Sequence, residues 1–268
     1  MNIDKIRPRD AAEVEQAVQW ALADNKTLEV VGRGSKRAIG RAAQWDATLD
    51  LSGLSEITLY EPAELVLSAK AGTPLVEIET LLAANAQELA FEPADYGPLL
   101  GVPSGAGTIG GVIAGNLSGP RRLKAGAARD HFLGVTAVSG RGETFKSGGR
   151  VVKNVTGYDL CKLLAGSWGT LAAMTEVTVK TLPRAETEET LLVLARDGAT
   201  AAMAMTAAMG SYADVSGAAY LPAGPASGVG ELSADLHPAR WSGRNAPDVA
   251  VAIPPASGKR RHITDRAP

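Results

Sequence analysis

The stretch Gly101-Val-Pro-Ser-Gly105-Ala-Gly107-Thr-Ile-Gly110-Gly111-Val-Ile-Ala-Gly115-Asn116 decides the reading of this chain. So many small residues in succession let a ligand or another backbone come close to the main chain. Upstream, the β-rich run Leu28-Glu29-Val30-Val31 enters a second glycine loop, Gly32-Arg33-Gly34-Ser35-Lys36-Arg37, closed by Gly40. Free N–H groups in such a loop form an anion nest, and Arg33, Lys36 and Arg37 add positive charge suited to a pyrophosphate. Taken singly, the first loop reads equally well as a turn with solvated basic side chains, and the second as a glycine run packed under a helix. Taken together, two small-residue loops beside strands are able to clamp one dinucleotide from opposite sides. Two better-known phosphate motifs fail. A dinucleotide fingerprint needs its third glycine at position 37 and a helix straight after, but 37 is Arg and the chain runs on toward another strand. No Gly-Lys-Ser/Thr follows to make a Walker loop.

The flanking sequence alternates helix-like and strand-like segments. Ala11, Val14, Ala17, Val18, Ala21 and Leu22 recur at three- and four-residue steps, which predicts an amphipathic helix ending at Asp24-Asn25-Lys26. Strands are expected at 47–51 and 64–70, then a helix with Thr73 as N-cap, Pro74 at its first position, and Leu75, Ile78, Leu81 and Leu82 inward. After the glycine stretch, 132–138 and 143–146 read as a hairpin turning at Ser139-Gly140-Arg141-Gly142. Residues 158–164 read as a short helix, and 171–182 as an extended segment that closes a compact body near Pro183. The pattern then restarts with a strand at 190–195, an alanine-rich helix at 200–209 and a strand at 215–221. Only 8 of the 48 residues from 221 onward are Leu, Ile, Val or Phe, too few to build a core. Alternation of this kind points to an α/β or α+β fold.

Composition removes whole classes of function. With 27 Lys plus Arg against 29 Asp plus Glu, the net charge is −2, so no overall positive field draws nucleic acid. One cysteine, Cys161, excludes an internal disulfide and cannot by itself ligate an iron–sulfur cluster or structural zinc. It reads as a small buried hydrophobe. His131 beside Asp130 reads as structural, because neighbours on a strand face opposite ways, and His237 and His262 read as solvated. No pair of carboxylates or histidines suited to deprotonating a hydroxy acid is found in the chain. The start lacks an apolar leader core, and no run approaches the ~18 apolar residues of a membrane span, so a cytoplasmic address is expected.

Seven segments in order, Gly32-Arg-Gly-Ser-Lys, Leu49-Asp-Leu-Ser-Gly-Leu, Ala71-Gly-Thr-Pro-Leu, Thr108-Ile-Gly-Gly-Val-Ile-Ala-Gly-Asn116, Lys153-Asn-Val-Thr-Gly-Tyr-Asp-Leu, Ala165-Gly-Ser-Trp-Gly-Thr-Leu and Thr175-Glu-Val-Thr-Val, resemble the vanillyl-alcohol oxidase type, or PCMH-type, FAD-binding flavoproteins. Order and spacing agree over about residues 5–185, and the run Gly149–Asp159 is most similar to the FAD-binding E subunits of bacterial glycolate oxidases. The resemblance implies an α+β fold: a PCMH-type FAD-binding domain of two α/β subdomains over 1–185, the start of an incomplete cap domain over 186–222, and a low-order tail over 223–268. It implies non-covalent FAD, because the first loop has neither His nor Cys. Gly32, Arg33, Gly34, Ser35 and Lys36 would be the pyrophosphate loop, and Thr108, Ile109, Gly110 and Gly111 the second loop. Asn116 would lie nearby, and Val177 beside the adenine. Trp168 stands where many catalytic relatives carry Glu, and reads as a core or rim aromatic.

The resemblance further implies an FAD-dependent oxidoreductase that works as a subunit of a 2-hydroxy-acid dehydrogenase complex. A catalytic flavoprotein subunit would bind glycolate or lactate, and an iron–sulfur subunit would accept electrons. The address would then be cytoplasmic, or peripheral to the inner membrane through the complex. Two alternatives stand beside this one: a self-sufficient flavin-dependent oxidoreductase, and a non-functional truncated product. The end of the chain is read either as divergent or as a shifted frame.

Overall fold

The computed structural model describes residues 4–150, 157–186, 191–195, 197–212, 215–222, 237–239 and 249–253. The chain divides into two units, one of residues 1–119 and 126–184, the other of residues 120–125 and 185–268.

The first unit opens with a three-stranded parallel sheet in the order β1-β3-β2, made of β1 (Asp4–Ile6), β2 (Leu28–Val31) and β3 (Ala47–Asp50). Helix α1 (Ala11–Ala23) joins the first two strands. Its Val14, Ala17, Val18 and Ala21 are buried at helical spacing, whereas Leu22, placed on the same face by its spacing, is exposed. Asp10 starts the helix by accepting the Glu13 N–H on Oδ1 at 2.9 Å. Asp10→Ala should cost about 1 kcal/mol and lower the melting temperature by roughly 2–4 °C, read by thermal denaturation.

A five-stranded antiparallel sheet follows in the order β4-β5-β9-β7-β8. Its strands are β4 (Ile57–Glu61), β5 (Val66–Lys70), β7 (Phe132–Ser139), β8 (Thr144–Gly148) and β9 (Ala172–Lys180). The short β6 (Gln87–Glu88) and β10 (Leu182–Pro183) pair beside it. Helices α2 (Leu75–Ala83), α3 (Ile109–Gly115), α5 (Ala128–His131) and α6 (Leu160–Leu164) complete the unit. The hairpin expected at 132–146 is present, with Val138 opposite Thr144. Strand β4 lies in sequence that carried no prediction, and β5 starts at Val66 rather than 64, because a 3-10 turn over Pro62–Glu64 and a left-handed Leu65 come first.

Two further corrections are local. Thr73 does not cap α2; Pro74 holds that position, while the Thr73 hydroxyl accepts from the Glu56 N–H at 3.0 Å and donates to the Glu56 carbonyl at 3.1 Å. The hydroxyl is therefore used to tie the segment entering β4. The glycine stretch contains a helix, α3, where Thr108 Oγ1 caps the Gly111 N–H at 3.3 Å.

Two apolar cores hold the unit. One lies under α2 and α3 and includes Leu67, Ile78, Phe91, Ile109, Ile113, Phe132 and Val177. The other packs Val14, Ala17 and Val18 of α1 against Leu49 and Leu51 on one side and Val138 and Ala173 on the other. Burying α1 between both sheets fixes the parallel sheet relative to the antiparallel one, and so fixes the loops at their edges.

The second unit contains a four-stranded sheet in the order β12-β14-β11-β13, from β11 (Leu191–Ala195), β12 (Ala219–Pro222), β13 (His237–Ala239) and β14 (Val249–Ile253). Helix α7 (Gly198–Met209) buries Ala201 with Val215, and α4 (Arg122–Ala125) also belongs to this unit. Strands β13 and β14 come from the segment expected as a low-order tail; its other residues, His262 included, lie outside those described. So do residues 151–156 of the Gly149–Asp159 run.

Candidate cofactor-binding site

Leaving β2, the chain turns through Gly32–Lys36, with Gly34 at φ +73°, a conformation that strongly favours glycine. Among the described residues no acceptor is found for the N–H groups of Arg33, Gly34, Ser35 and Lys36. Four successive N–H groups of this kind in a turn are suited to an anion nest. Arg33 and Gly34 border a cavity of about 600 Å³ that is also lined by Gly32, Thr48, Asp50 and Ala106, among others. That volume is in the range of small-molecule and cofactor pockets.

The second loop meets the first directly. A Cβ on Gly32 would fall 2.5 Å from Thr108 Oγ1, and one on Gly111 would fall 3.6 Å from Lys36 Nζ. Folding therefore brings together Gly32, Lys36, Thr108 and Gly111, which the sequence separates by more than seventy positions. Three N–H groups of the second loop are used within the protein. Ile109 N–H is taken by the Thr73 carbonyl at 3.0 Å, Gly110 N–H by the Ala71 carbonyl at 2.9 Å, and Gly111 N–H by Thr108 Oγ1. Those bonds build the first turn of α3 onto β5 and leave these amides nothing to offer a phosphate. Among the described residues it is Ala106, Gly107 and Thr108 whose N–H groups lack an acceptor.

Lys36 is the cation placed at the junction. Its ammonium lies 3.2 Å from Ser35 Oγ and has no carboxylate within ion-pair distance among the described residues. Burial pushes its pKa down, and the charge of Asp95 opposes that. Arg37 is committed elsewhere: its guanidinium grips both carboxylate oxygens of Glu29, which also accepts from the Thr48 hydroxyl at 3.0 Å. Arg37 holds Glu29 below the usual carboxylate range. Arg33 is exposed at the cavity and forms no ion pair among the described residues. On the far wall Asp50 pairs with Lys5 at 2.6 Å. Burial pushes the Asp50 carboxyl up, but Lys5 and Ser52 together outweigh it and hold it below its ordinary value.

Two further expected site residues have contacts within the fold. Val177 is fully buried, on a strand covered by helices of both cores, and pairs with Ala69 and Val135. Asn116 ends α3 in the left-handed conformation, and its Oδ1 accepts the Arg129 N–H at 2.9 Å, tying α3 to α5. Trp168, also left-handed at φ +54°, is 45% exposed and covers the end of α3, 3.3 Å from where a Gly115 Cβ would stand. It is thus a rim aromatic.

Cys161 is 1% exposed, and burial pushes its thiol up to about 11. A thiol with so little thiolate at neutral pH is a poor nucleophile. It should resist a disulfide-exchange reagent in the native protein and react only on unfolding, which a colorimetric thiol titration reads. His131 is buried against Phe91, with ring centroids 5.4 Å apart.

The sequence model of the FAD binding domain family matches residues 5–148. The chain belongs to this family. FAD, expected from the family resemblance, is therefore its cofactor. The chain is 41% identical over 169 residues to the glycolate oxidase subunit GlcE of Escherichia coli (strain K12), covering 63% of this chain and 46% of that one. It is 30% identical over 219 residues to the glycolate oxidase subunit GlcD of Bacillus subtilis (strain 168), covering 81% and 43%. The fold is similar to that of an alkyldihydroxyacetonephosphate synthase, with a TM-score of 0.71 at 19% identity, over 94% of this chain and 47% of that one. The chain spans less than half the length of each of these proteins. Among the described residues no helix is long and apolar enough to cross a membrane, and no group of three or more His, Cys, Asp and Glu is placed to hold a metal.

Proposed function

We propose that this chain is the FAD-holding subunit of a complex that oxidises small 2-hydroxy acids such as glycolate or lactate. A partner flavoprotein would carry the substrate site, an iron–sulfur subunit would accept the electrons, and the complex would lie in the cytoplasm or against the inner membrane. The observation that carries the reading is the junction of Gly32 with Thr108 and of Lys36 with Gly111, beside two sets of amides that have no acceptor among the described residues. This donor set fits a pyrophosphate: main-chain N–H groups at 33–36 and 106–108 would donate to its oxygens, and the Lys36 ammonium would neutralise part of its charge. The likeness to GlcE supports the choice of complex.

When bound, the flavin supplies the two-electron chemistry. The chain's own residues bind and orient it. Gly32 and Gly111 keep side chains out of the phosphate path, and the nest and Lys36 hold the charged middle of the cofactor. Asp50, which lines the cavity, and Glu29, which holds the lining residues Arg37 and Thr48, are each ion-paired with a lowered pKa, which makes them weak general bases. Substrate deprotonation is accordingly assigned to the partner.

The test is to purify the chain alone and together with its genomic neighbours. Visible flavin bands after incubation with FAD, no turnover of glycolate or lactate by the isolated chain, and turnover by the complex are the expected results. A colourless chain would contradict the reading, and steady turnover by the isolated chain would replace it with a self-sufficient oxidoreductase.

A further inference from the structure

The second set of amides follows a loop whose own backbone hydrogen bonds, the last from the Val102 N–H to the Gly97 carbonyl at 2.9 Å, leave residues 103–105 to a side chain. Residues 95–105 contain Gly97, Gly101 and Gly105, the last two at positive φ, and one 3-10 turn at Pro98–Leu100 as their only regular structure. A glycine-rich segment of this length has much conformational entropy to lose on closing. One carboxylate closes it. Asp95 Oδ1 accepts the Gly97 N–H at 2.9 Å, while Oδ2 accepts the Ser104 hydroxyl at 2.7 Å and the Gly105 N–H at 2.8 Å. The first residue of the loop thereby grips its last two, and the next residue, Ala106, lines the cavity.

We propose that Asp95 is a positioning residue for the cofactor: its carboxylate latches the 95–105 loop and so sets the 106–108 amides against the Gly32–Lys36 loop before FAD arrives. The inference rests on the cofactor reading above. Preorganised donors bind more tightly because the ligand does not have to order them. The charged groups acting on Asp95 are the Lys36 ammonium from the first loop and the Glu79 carboxylate from α2. Lys36 favours the ionised latch and Glu79 opposes it, so the latch and the phosphate-binding cation are electrically linked.

The experiment compares wild type, Asp95→Ala, Asp95→Asn and Ser104→Ala by FAD and ADP titration, thermal melting and amide hydrogen exchange. Asp95→Ala should weaken FAD and ADP alike by about 30-fold, and Ser104→Ala by roughly fivefold, as expected when hydrogen bonds to a charged group are lost. Asp95→Asn keeps one acceptor oxygen and should recover part of the loss. Exchange at Gly97 and Gly105 should accelerate in the Ala variant while the sheet amides stay protected. FAD affinity within twofold of wild type in Asp95→Ala, or unchanged exchange at Gly97 and Gly105, would overturn the proposal. Equal loss of affinity in the Ala and Asn variants, matched by equal falls in melting temperature, would reduce Asp95 to a stability role and overturn it too. Failure of wild type to bind either ligand would refute the cofactor reading itself, while the exchange data would still report whether Asp95 holds the loop.

Discussion

Gly32→Val is expected to abolish FAD binding. The first added atom would lie 2.5 Å from Thr108 Oγ1, closer than real side chains approach, and a tight 3.2 Å from its Cγ2. Thr108 is 2% exposed and cannot step aside, since its hydroxyl caps α3 and its neighbours Ile109 and Gly110 are bonded to Thr73 and Ala71. The substitution must push the two loops apart or move α3 off β5. Either change removes the simultaneous grip on the phosphates. With several charge-assisted hydrogen bonds at stake, each contributing about 1.5–3 kcal/mol, affinity should fall by about a thousandfold or more. Fluorescence titration of FAD reads it, with the melting curve of the flavin-free protein showing whether the sheets survive. Affinity within tenfold of wild type would mean that the loops can separate without consequence.

Lys36→Glu should have the next largest effect. It removes the half-buried ammonium near Gly111 and places a carboxylate where the phosphates are held. Losing an attractive charge and adding a repulsive one should weaken FAD by about 3 kcal/mol, or roughly two orders of magnitude. Lys36→Ala, which only removes the attraction, should fall in between. The pH dependence has a defined sign. Burial lowers the pKa of Lys36 in the free protein, and an adjacent phosphate would raise it, so binding at alkaline pH takes up a proton. Affinity should therefore fall as pH rises through the free-protein pKa of Lys36, below the ordinary lysine range, and this limb should vanish in Lys36→Ala. An unchanged alkaline limb in that variant would remove Lys36 from the site.

The residues that announced the fold were those whose chemistry is local. Periodicity placed α1, and turn chemistry at Ser139–Gly142 placed the β7–β8 hairpin. The spacing of Leu75 and Ile78 placed α2, but its start was misjudged because the Thr73 hydroxyl serves a partner seventeen residues upstream. Glycine content located both loops, yet it could not tell which of their amides remain free. That depends on Ala71 and Thr73, whose carbonyls reach Gly110 and Ile109 only once α3 docks on β5. The burial of Val177 was hidden for a related reason. Alternating β-branched residues identify a strand but not its coverage, and β9 turns out to be buried on both faces, with Ala173 against α1 and Val177 under α2 and α3. Asp95 was passed over, although a carboxylate at the head of a glycine-rich run, with Gly two residues on and Ser-Gly at its end, is a recognisable turn-closing pattern. Lys5 and Asp50 were likewise invisible, since only the parallel pairing of β1 with β3 brings them together.

Amide hydrogen exchange with and without FAD is the most direct measurement of the grip itself. New protection is expected at 33–36 and at 106–108, whose N–H groups have no acceptor among the described residues, with little change at 109–111, which are already bonded. Protection confined to other segments, or FAD binding that leaves both sets of amides exchanging at their original rates, would contradict the account.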